Sequence, residues 1–358
     1  MVNKQKPVTK EMVAAQAGVS KTTVSFVLNN NPSISEATRK KVLQIVDQLG
    51  YQPNTNARNL SSKKTRTICI VLPELGHIFE DPYFARAIGG VYDEVEAADY
   101  RLILKKASFE FAKDKEYLNL FRRKEIAGML YVGSTLDDQY LAEFVDTGFP
   151  FILVNSYLPG INIPFVISDN VTAAYVATHH LIELGHTRIG HIAGSRNTTT
   201  AIDRIAGYRK ALEEAGIGFD PDFIAEGHYN KNMASAATRR LFELSERPTA
   251  IFAGNDMMAL GVLDAASTLG LRVPEDCALV GGDNIEISQF TNPPLTTIDQ
   301  PIYEVSRTAI RTLFELISGE ILPSEARKMT PTQLIVRKSC GAKSGVENGK
   351  RVGAAGAK

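Results

Sequence analysis

The chain of 358 residues lacks several features that would place it in other protein classes. Its three cysteines, Cys69, Cys277 and Cys340, are far apart and odd in number, so they indicate neither a disulfide framework nor a CxxC metal pair. No uncharged apolar run reaches the roughly 18–20 residues that a membrane span needs. The segment MVNKQKPVTKEMV has no apolar stretch and no small-residue cleavage site, so we expect no secretory signal peptide. The expected location is the cytoplasm.

Sequence motifs of catalysis are also missing. There is no GxxxxGK[ST] loop, no GxGxxG after a strand and no GxSxG nucleophile elbow. The four histidines of HHLIELGHTRIGH, residues 179–191, lack HExxH spacing and a partner at metal-site spacing, so helix-face or capping roles are favoured. We therefore expect no enzyme, no cofactor and no metal site.

What the chain does have is a separation of charge. Its 40 basic and 40 acidic residues cancel, and its 44% hydrophobic content is ordinary for a globular protein. Residues 1–66 nevertheless hold eleven basic and three acidic residues, a net charge of +8, while the remainder holds 29 basic and 37 acidic residues, a net charge of −8. A basic head on an acidic body is typical of a nucleic-acid binder with a separate sensing module. A solvated basic N-terminus would explain the charge alone equally well.

Residues 8–51 predict three short helices. The first begins after Thr9 and ends at Gly18, the second follows Ser20, and the third carries an apolar stripe that Gly50 closes. Two short helices joined by AGVS form a helix-turn-helix pattern, in which the second helix lies in the major groove, although any compact helical pair would share this pattern. The predicted base contacts are Lys21, Thr22 and Phe26, and the predicted phosphate contacts are Ser20, Thr23 and Ser25.

From Thr67 onward, apolar runs alternate with helical patterns, and the alternation restarts at Asp169. This spacing predicts parallel, doubly wound sheets, and two such runs predict two similar subdomains. The predicted fold class is α/β, with an all-α helix-turn-helix head and a core of two doubly wound parallel-sheet subdomains. Ligands of such sheets lie at the carboxyl ends of the strands. Residues 341–358 are predicted to form a disordered tail.

The segment VAAQAGVSKTTVSFVLNNNPSISEATRKKVLQIVDQLGYQPNTNARNL resembles the DNA-binding head of the lactose-repressor family of bacterial transcription regulators. The resemblance continues through NDMMALGVLDAASTLGLRVPEDCALVGGDN and PPLTTIDQP, which are typical of that family's periplasmic-binding-protein-like core. It covers about residues 8–340. It implies a helix-turn-helix head at 1–51, a hinge helix or linker at 52–66, an N-terminal core subdomain at 67–168 plus about 298–328, and a C-terminal core subdomain at 169–297 plus about 329–340.

The resemblance also implies a hinge helix from Asn54 to Leu60, which folds when two copies meet in the minor groove at the operator centre. Leu60 matches the leucine that wedges between central base pairs, and Ala57 matches the small residue at the closest approach. A short polar helix has marginal stability alone and forms when binding supplies tertiary contacts. An apolar side chain inserted between base pairs bends the duplex. The alternative for Leu60 is an ordinary loop residue.

Three positions of the head depart from the family pattern. Most members read a guanine with an arginine from the second helix, where this chain has Phe26, which cannot donate a hydrogen bond. Phe26 could touch a thymine methyl or fold against the head. Met12 stands where an aspartate is common and Lys10 where an apolar residue is common, and the sequence suggests no role for either.

Members of the family bind a small molecule between the two core subdomains. The residues that match ligand contacts are Tyr83, Phe84, Asp169, Arg204, Tyr229, Asn255 and Asp283. Carboxylate and amide groups suit vicinal hydroxyls, a guanidinium offers a planar fork, and aromatic rings stack on an apolar ring face. This chemistry favours a sugar or sugar derivative over a nucleobase.

Some of these residues have structural alternatives. Tyr83 and Phe84 could be core residues, and Asn255 and Asp283 could be turn residues. Three neighbouring positions complete the prediction: Asp256 is expected to cap a helix, Arg196 is a weaker ligand candidate, and Gly282 is expected to enlarge the pocket.

We therefore expect a ligand-responsive, sequence-specific DNA-binding regulator, most simply a repressor. It would bind a near-palindromic double-stranded operator as a homodimer, with no membrane partner and with effector binding coupled to hinge-helix pairing. The alternative is a cytoplasmic sugar-binding protein of the transporter-receptor type without DNA function. The core alone fits either class, and the basic helix-turn-helix head favours the regulator.

Overall fold

The computed structural model describes residues 8–28, 30–51, 65–74 and 78–343. The chain forms two compact units, divided between Thr65 and Arg66. The predicted hinge residues Asn54, Ala57 and Leu60 lie outside the described residues, as does the predicted tail from position 344.

The first unit contains the three predicted helices, α1 (Lys10–Ala17), α2 (Lys21–Leu28) and α3 (Glu36–Leu49). Each begins and ends on local signals in the sequence. Side-chain oxygens of Thr9 and Ser35 accept hydrogen bonds from backbone amides in the first turns of α1 and α3, which is the capping role these residue types favour. The apolar faces of the three helices enclose a small core, which includes Val13, Ala14, Ala17, Val24, Val27, Val42 and Ile45.

The second unit alternates strands and helices along the chain. Its strands are β1 (Thr67–Pro73), β2 (Arg101–Ala107), β3 (Gly128–Val132), β4 (Phe151–Val154), β5 (Phe165–Ser168), β6 (Ile189–Ala193), β7 (Ile224–Glu226), β8 (Ala250–Ala253), β9 (Ala278–Gly282), β10 (Thr296–Asp299), β11 (Arg327–Thr330) and β12 (Gln333–Ile335). Its α-helices are α4 (Pro82–Ala97), α5 (Phe109–Lys113), α6 (Glu116–Arg122), α7 (Asn170–Glu183), α8 (Thr199–Glu214), α9 (Lys231–Phe242), α10 (Asp256–Thr268) and α11 (Ile302–Ser318). Short 3₁₀ segments lie at Ile78–Glu80, Gln139–Asp146, Pro221–Phe223, Glu286–Gln289 and Pro323–Glu325.

These strands form two six-stranded sheets of the same winding. The first has the order β2-β1-β3-β4-β5-β11 and is parallel throughout. The second has the order β7-β6-β8-β9-β10-β12, in which only β12 is antiparallel to its neighbour. The predicted α/β class, with two parallel-sheet subdomains and a helical head, is confirmed.

Both faces of each sheet are covered, which is why strand sequences such as TICIVL are apolar almost without interruption. On β1, Ile68 and Ile70 pack on one face with residues of α4 and α11. Cys69 and Val71 pack on the opposite face with residues of α5 and α6. The sheets are thus rigid platforms whose carboxyl-end loops can hold polar side chains in place.

The two sheets exchange their last strands. After β10 ends at Asp299 in the second sheet, α11 packs on the first sheet, β11 joins that sheet as far as Thr330, and β12 returns to the second. Together with the earlier crossing from β5 to β6, the chain therefore passes between the two sheets three times. The expected subdomain limits near 298 and 328 remain a prediction, and these strand ends lie one or two residues beyond them.

Two pairs of neighbouring helices pack with their backbones in close contact. A Cβ added to Gly207 of α8 would lie 2.1 Å from the carbonyl oxygen of Val171 in α7. A Cβ added to Gly90 of α4 would lie 2.3 Å from the carbonyl oxygen of Tyr303 in α11. Both distances are far below ordinary van der Waals contact, so these helix pairs pack at a separation that only glycine permits.

Within the described part of the chain, no helix combines the length and the apolar character required to cross a bilayer.

Candidate functional site

The exposed face of α2 carries the predicted DNA contacts. Lys21 and Thr22 lie in its first turn, and Ser25 and Phe26 follow one turn later on the same face. Lys21, Thr22 and Phe26 are exposed, whereas Val24 on the other face is buried in the head. Phe26 is 40% exposed and is not among the residues of the head's apolar core. The structure therefore does not show the second of the two predicted alternatives, in which Phe26 folds against the head.

The polar groups at the start of α2 are already hydrogen-bonded. Ser20 Oγ accepts a hydrogen bond from the Thr23 backbone amide at 3.0 Å and shares another with Thr23 Oγ1 at 2.9 Å. Ser20 therefore caps α2. Lys21 forms an ion pair with Glu11 of α1, and this contact lowers the pKa of the Glu11 carboxyl to about 2. A phosphate or base that binds Lys21 must compete with this carboxylate.

One contact of the head was missed by the sequence reasoning. Lys10 Nζ donates a hydrogen bond to Ser25 Oγ at 2.8 Å. The only signal for this contact was that Lys10 replaces a residue type common in the family.

In the second unit, most of the predicted effector contacts follow the carboxyl ends of strands. Tyr83 stands at the start of α4 after β1, Asp169 follows β5, Tyr229 follows β7, and Asp283 follows β9. Arg204 comes from the first half of α8. Because parallel strands end at the same edge of a sheet, this placement brings residues distant in sequence to one edge.

Arg204 is the centre of a buried polar cluster and is only 3% exposed. Its Nε donates to Asn170 Oδ1 at 3.1 Å, and its NH1 group donates to the carbonyl oxygen of Gly254 at 2.5 Å. Its NH2 nitrogen lies 3.9 Å from Asp283 Oδ1. The planar guanidinium therefore has partners that follow three separate strands, β5, β8 and β9.

Asp283 is 4% exposed and has a φ of 102°, a conformation that non-glycine residues rarely adopt. Its backbone amide donates to the carbonyl oxygen of Ile298 at 2.8 Å, which fixes the residue to β10. Burial raises the pKa of the Asp283 carboxyl well above its ordinary value, the charge of Arg204 opposes that rise, and the nearby Asp256 carboxyl adds to it. A buried, strained carboxyl beside an arginine is the kind of group that structures retain for binding.

The two aromatic residues after β1 have different environments. Asn155, which follows β4, donates a hydrogen bond from its amide nitrogen to Tyr83 Oη, and burial raises the pKa of the Tyr83 hydroxyl. Phe84 is 8% exposed and belongs to the apolar core beneath the first sheet, with its ring edge-to-face against Tyr83 at 5.3 Å. The structure thus favours the core alternative for Phe84, while Tyr83 packs against the same core and its hydroxyl belongs to the polar cluster.

Tyr229 lies directly over a glycine. A Cβ added to Gly194 would lie 2.1 Å from the Tyr229 ring, so only glycine leaves room for the aromatic side chain. Tyr229 Oη is hydrogen-bonded to Thr198 Oγ1 at 2.8 Å. Both His228 and Tyr229 have positive φ values, 49° and 58°, which turns the chain sharply after β7. Backbone strain of this kind is common where a side chain must be presented to a ligand.

Two predicted contacts act as helix caps in this structure. Asp169 accepts hydrogen bonds from the backbone amide and hydroxyl of Thr172 at 2.9 Å and 2.7 Å, and so caps α7. Asn255 Oδ1 accepts from the Met258 amide at 2.8 Å, and so caps α10. The sequence allowed for Asn255 being structural, but it gave the capping role to the wrong residue, Asp256.

Asp256 is instead the first residue of α10 and is fully buried. Its carboxylate accepts hydrogen bonds from Thr297 Oγ1 at 2.6 Å and from the Ile285 amide at 2.9 Å. Burial raises its pKa to about 7, although both hydrogen bonds favour the charged form. Asp256 therefore joins the start of α10 to β10 and to the loop that carries Asp283.

Two weaker expectations also have an outcome. A Cβ added to Gly282 would lie 2.8 Å from the carbonyl oxygen of Gly254, so backbone fills the space and the expected enlargement of the pocket is wrong. The Arg196 side chain is 55% exposed and forms an ion pair with Glu226, whose Oε1 lies 3.3 Å from Arg196 Nε. A ligand contact by Arg196 stays a prediction.

The edges of the two sheets are joined across the cleft between them. Tyr157, after β4, donates to Asp203 of α8 at 2.9 Å, and Arg86 of α4 donates to the carbonyl oxygen of Asn284 at 3.3 Å. Thr200 Oγ1 donates to the Asn155 carbonyl oxygen at 3.1 Å. The two subdomains are therefore in direct contact across the cleft. The sequence signal for these residues was weak, since Asn155 and Tyr157 differ from other loop residues only in following a buried strand.

The four histidines of residues 179–191 have separate environments. Among the described residues, no three His, Cys, Asp or Glu side chains gather in a metal-binding group. His180 Nε2 lies 3.3 Å from Cys340 Sγ, and His186 Nδ1 lies 3.0 Å from Thr249 Oγ1. His191 is on β6, buried inside the second subdomain, and not on a helix face as the sequence suggested.

Comparisons with known proteins agree with this arrangement. The model described as bacterial regulatory proteins, lacI family, matches residues 11–54, and the periplasmic binding protein-like domain matches residues 178–340. The HTH-type transcriptional repressor CytR of Escherichia coli (strain K12) is 38% identical over 333 residues, which is 92% of this chain and 96% of that protein. The repressor PurR of Aliivibrio salmonicida (strain LFI1238) is 36% identical over 328 residues, 91% of this chain and 97% of that protein.

Solved structures give the same picture. The lac repressor dimer bound to operator and the anti-inducer ONPF is 27% identical, with a TM-score of 0.84 over 94% of this chain and 100% of that chain. A complex of the transcriptional regulator CelR with cellobiose is 31% identical, with a TM-score of 0.72 over 93% of this chain and 99% of that chain. Both similarities extend over the head and the core together.

Proposed function

The chain belongs to the lacI family of bacterial regulatory proteins, and on that premise we propose that it is a ligand-controlled repressor. Its core binds a sugar or sugar derivative, and this binding changes the affinity of the head for an operator. The observation that carries the proposal is the combination, in one chain, of an exposed recognition face on α2 with a buried Arg204–Asp283 cluster in the core. The head supplies the DNA contact and the cluster supplies the ligand contact.

On DNA, two copies of the chain place their α2 helices in successive major grooves, about 34–36 Å apart, so the operator is near-palindromic. Lys21, Thr22 and Phe26 face base edges, and the hydroxyls of Ser20, Thr23 and Ser25 face phosphates. The excess positive charge of the head makes the affinity fall steeply with salt. The hinge residues Asn54, Ala57 and Leu60 contact the minor groove, with Leu60 as the wedge.

In the core, a sugar suits the groups that line the cleft. Arg204 and Asp283 can donate to and accept from vicinal hydroxyls, and the rings of Tyr83 and Tyr229 offer faces for the apolar side of a pyranose or furanose. The cellobiose bound to the CelR neighbour supports this ligand class by similarity. The capping roles of Asp169 and Asn255 make them less suited to direct contact, and Phe84 supports Tyr83 from the core.

Coupling between the sites follows from the two-subdomain core. A ligand that alters the contacts across the cleft, such as Tyr157–Asp203, changes the orientation of the two subdomains and so the distance between the hinges of a dimer. We place the head at 1–51, the hinge at 52–66 and the core beyond it, with subdomain limits as the sequence suggested. The protein acts in the cytoplasm on the nucleoid, without catalysis and without a membrane partner.

The first test is selection of bound duplexes from a random DNA pool by the full-length protein at near-physiological salt. We expect an enriched near-palindrome. The absence of any enrichment would contradict the proposal for the head.

The second test titrates a panel of sugars and nucleosides against the operator complex. We expect one sugar to shift operator affinity, and we expect Asp283→Asn to lose that response while keeping operator binding. A normal titration in the variant would contradict the assigned site.

The wedge role has its own test. Leu60→Ala is expected to weaken binding to the selected operator and to leave binding to random duplex nearly unchanged, because the wedge acts only where the duplex bends. An equal loss on both kinds of DNA would contradict it.

A further inference from the structure

Lys10, the first residue of α1, reaches the recognition face of α2. Its Nζ lies 2.8 Å from Ser25 Oγ and donates a hydrogen bond to it. Ser25 lies one turn after Lys21 and directly before Phe26, so the Lys10 ammonium that it holds lies near two of the predicted base contacts. Lys10 and Ser25 are both half-buried, which holds the ammonium group against α2. A positive charge from the first helix thus lies on the face of the second.

The two lysines at this face differ in what neutralises them. Lys21 is paired with the Glu11 carboxylate. Lys10 bonds to a neutral hydroxyl, and within the described part of the head its ammonium has no carboxylate at ion-pair distance. An ammonium carries three donors, so the bond to Ser25 leaves two of them available. Lys10 is therefore a charged group with free donors at the protein surface that meets DNA.

Phe26, the residue after Ser25 on α2, has no hydrogen-bond donor in its side chain. Phe26 presents an exposed aromatic ring, which can contact a thymine methyl but cannot donate a hydrogen bond. In the major groove a guanine presents two acceptors, N7 and O6, and reading it requires a donor. Ser25, the residue directly before Phe26, holds such a donor in the Lys10 ammonium.

We propose that Lys10 reads a guanine in each half-site and so supplies, from the first helix, the donor that Phe26 cannot supply from the second. Ser25 is the positioning residue, since its hydroxyl holds the ammonium on the recognition face. The operator then carries a G·C pair next to the pair that Phe26 covers. This inference rests on the proposed function of the head as an operator reader.

The test compares the full-length protein with three variants on the operator obtained by selection and on half-site substitutions of it. Lys10→Met removes the donors and keeps an unbranched side chain of similar length. Lys10→Arg keeps the charge and the donors. Lys40→Met removes one exposed positive charge from α3 and is the control for charge alone.

We expect Lys10→Met to lose at least about fivefold of the preference for G·C at one symmetric position, because one good base contact discriminates by this much or more. Lys10→Arg should keep that preference, and Lys40→Met should weaken all sequences alike. Methylation of guanine N7 at the same position should block the wild-type protein and leave Lys10→Met unaffected.

Each other outcome has a definite meaning. A wild-type protein without sequence preference would overturn the proposed function of the head and this inference with it. A selective wild-type protein whose preference survives Lys10→Met would overturn the inference alone. A uniform loss on all sequences, with a salt slope lower by about one, would mean that Lys10 binds a phosphate, and it would also overturn the inference. If Lys10→Met does not fold, Ser25→Ala, which removes the hydroxyl that positions Lys10, takes its place, and an unchanged preference for G·C in that variant would overturn the inference.

Discussion

His191 makes the stability of the core depend on pH. It is fully buried on β6, with its ring stacked between those of Phe252 and Tyr208 at centroid distances of 4.8 Å and 5.3 Å. Its Nδ1 lies 2.9 Å from the carbonyl oxygen of Phe252, and among the described residues its Nε2 has no hydrogen-bond partner. Burial without a partner for a second proton lowers the pKa of His191 from 6.5 to about 4.

The sign and size of the effect follow from linkage. Between pH 6.5 and about 4 the unfolded chain binds a proton at this histidine and the folded chain does not. Proton binding therefore stabilises the unfolded state and lowers the free energy of unfolding. The stabilisation is complete above pH 6.5 and is lost as the pH falls toward 4. A difference of two to three pH units corresponds to about 3 kcal/mol of unfolding free energy.

We expect His191→Asn to remove this part of the pH dependence, because asparagine keeps a donor near the position of Nδ1 and cannot be charged. The measurement is urea-induced unfolding at a fixed protein concentration, at several pH values from 7.5 to 4, with His179→Asn, at a half-buried histidine on α7, as the control. The variant loses some stability at every pH through the smaller side chain, but its curve should fall by about 3 kcal/mol less than that of the wild type. Parallel curves for wild type and variant would refute the reasoning.

Two further predictions concern the cleft. Gly194→Ala should displace the Tyr229 ring by roughly 1 Å or more, cost about 1–3 kcal/mol of stability and weaken the effector response, while Gly218→Ala, whose Cβ would meet nothing within 4 Å, should do neither. Equal effects of the two substitutions in unfolding and effector titrations would contradict this account of Tyr229. Arg204→Met should destabilise the core by about 3–5 kcal/mol, because it leaves buried acceptors unpaired, and Asp283→Asn in that background should recover part of the loss. A double-mutant cycle by urea unfolding checks this, and strict additivity of the two losses would show that the side chains are not coupled.

Local features of the fold were predictable from the sequence because their causes lie within a few residues. Thr9 accepts from the amide three positions away, and Gly18 and Gly50 adopt the positive φ that ends α1 and α3. The apolar runs of the strands are equally local, because a strand covered on both faces needs apolar residues at every position. The helix-turn-helix head and the parallel sheets could therefore be derived in advance.

The candidate site was only partly predictable. The sequence could place Tyr83, Tyr229 and Asp283 after the carboxyl ends of strands, since chain order and strand direction fix which loops meet at one edge, and their contact with a ligand stays a prediction. It could not separate ligand contacts from supports. Phe84 differs from Tyr83 by one position on a helix, and that rotation buries the Phe84 ring in the core, whereas the Tyr83 ring packs at the edge of the core with its hydroxyl at the cluster.

The sequence by itself thus determined the helices, the strands and the order in which they alternate, because propensity, capping and burial pattern act over a few residues. Only the tertiary structure decided which groups became partners. Arg204 meets a carbonyl oxygen 50 positions away, and Lys10 meets a hydroxyl 15 positions away on another helix. Such pairs depend on how whole elements pack, and no local rule of the sequence specifies that packing.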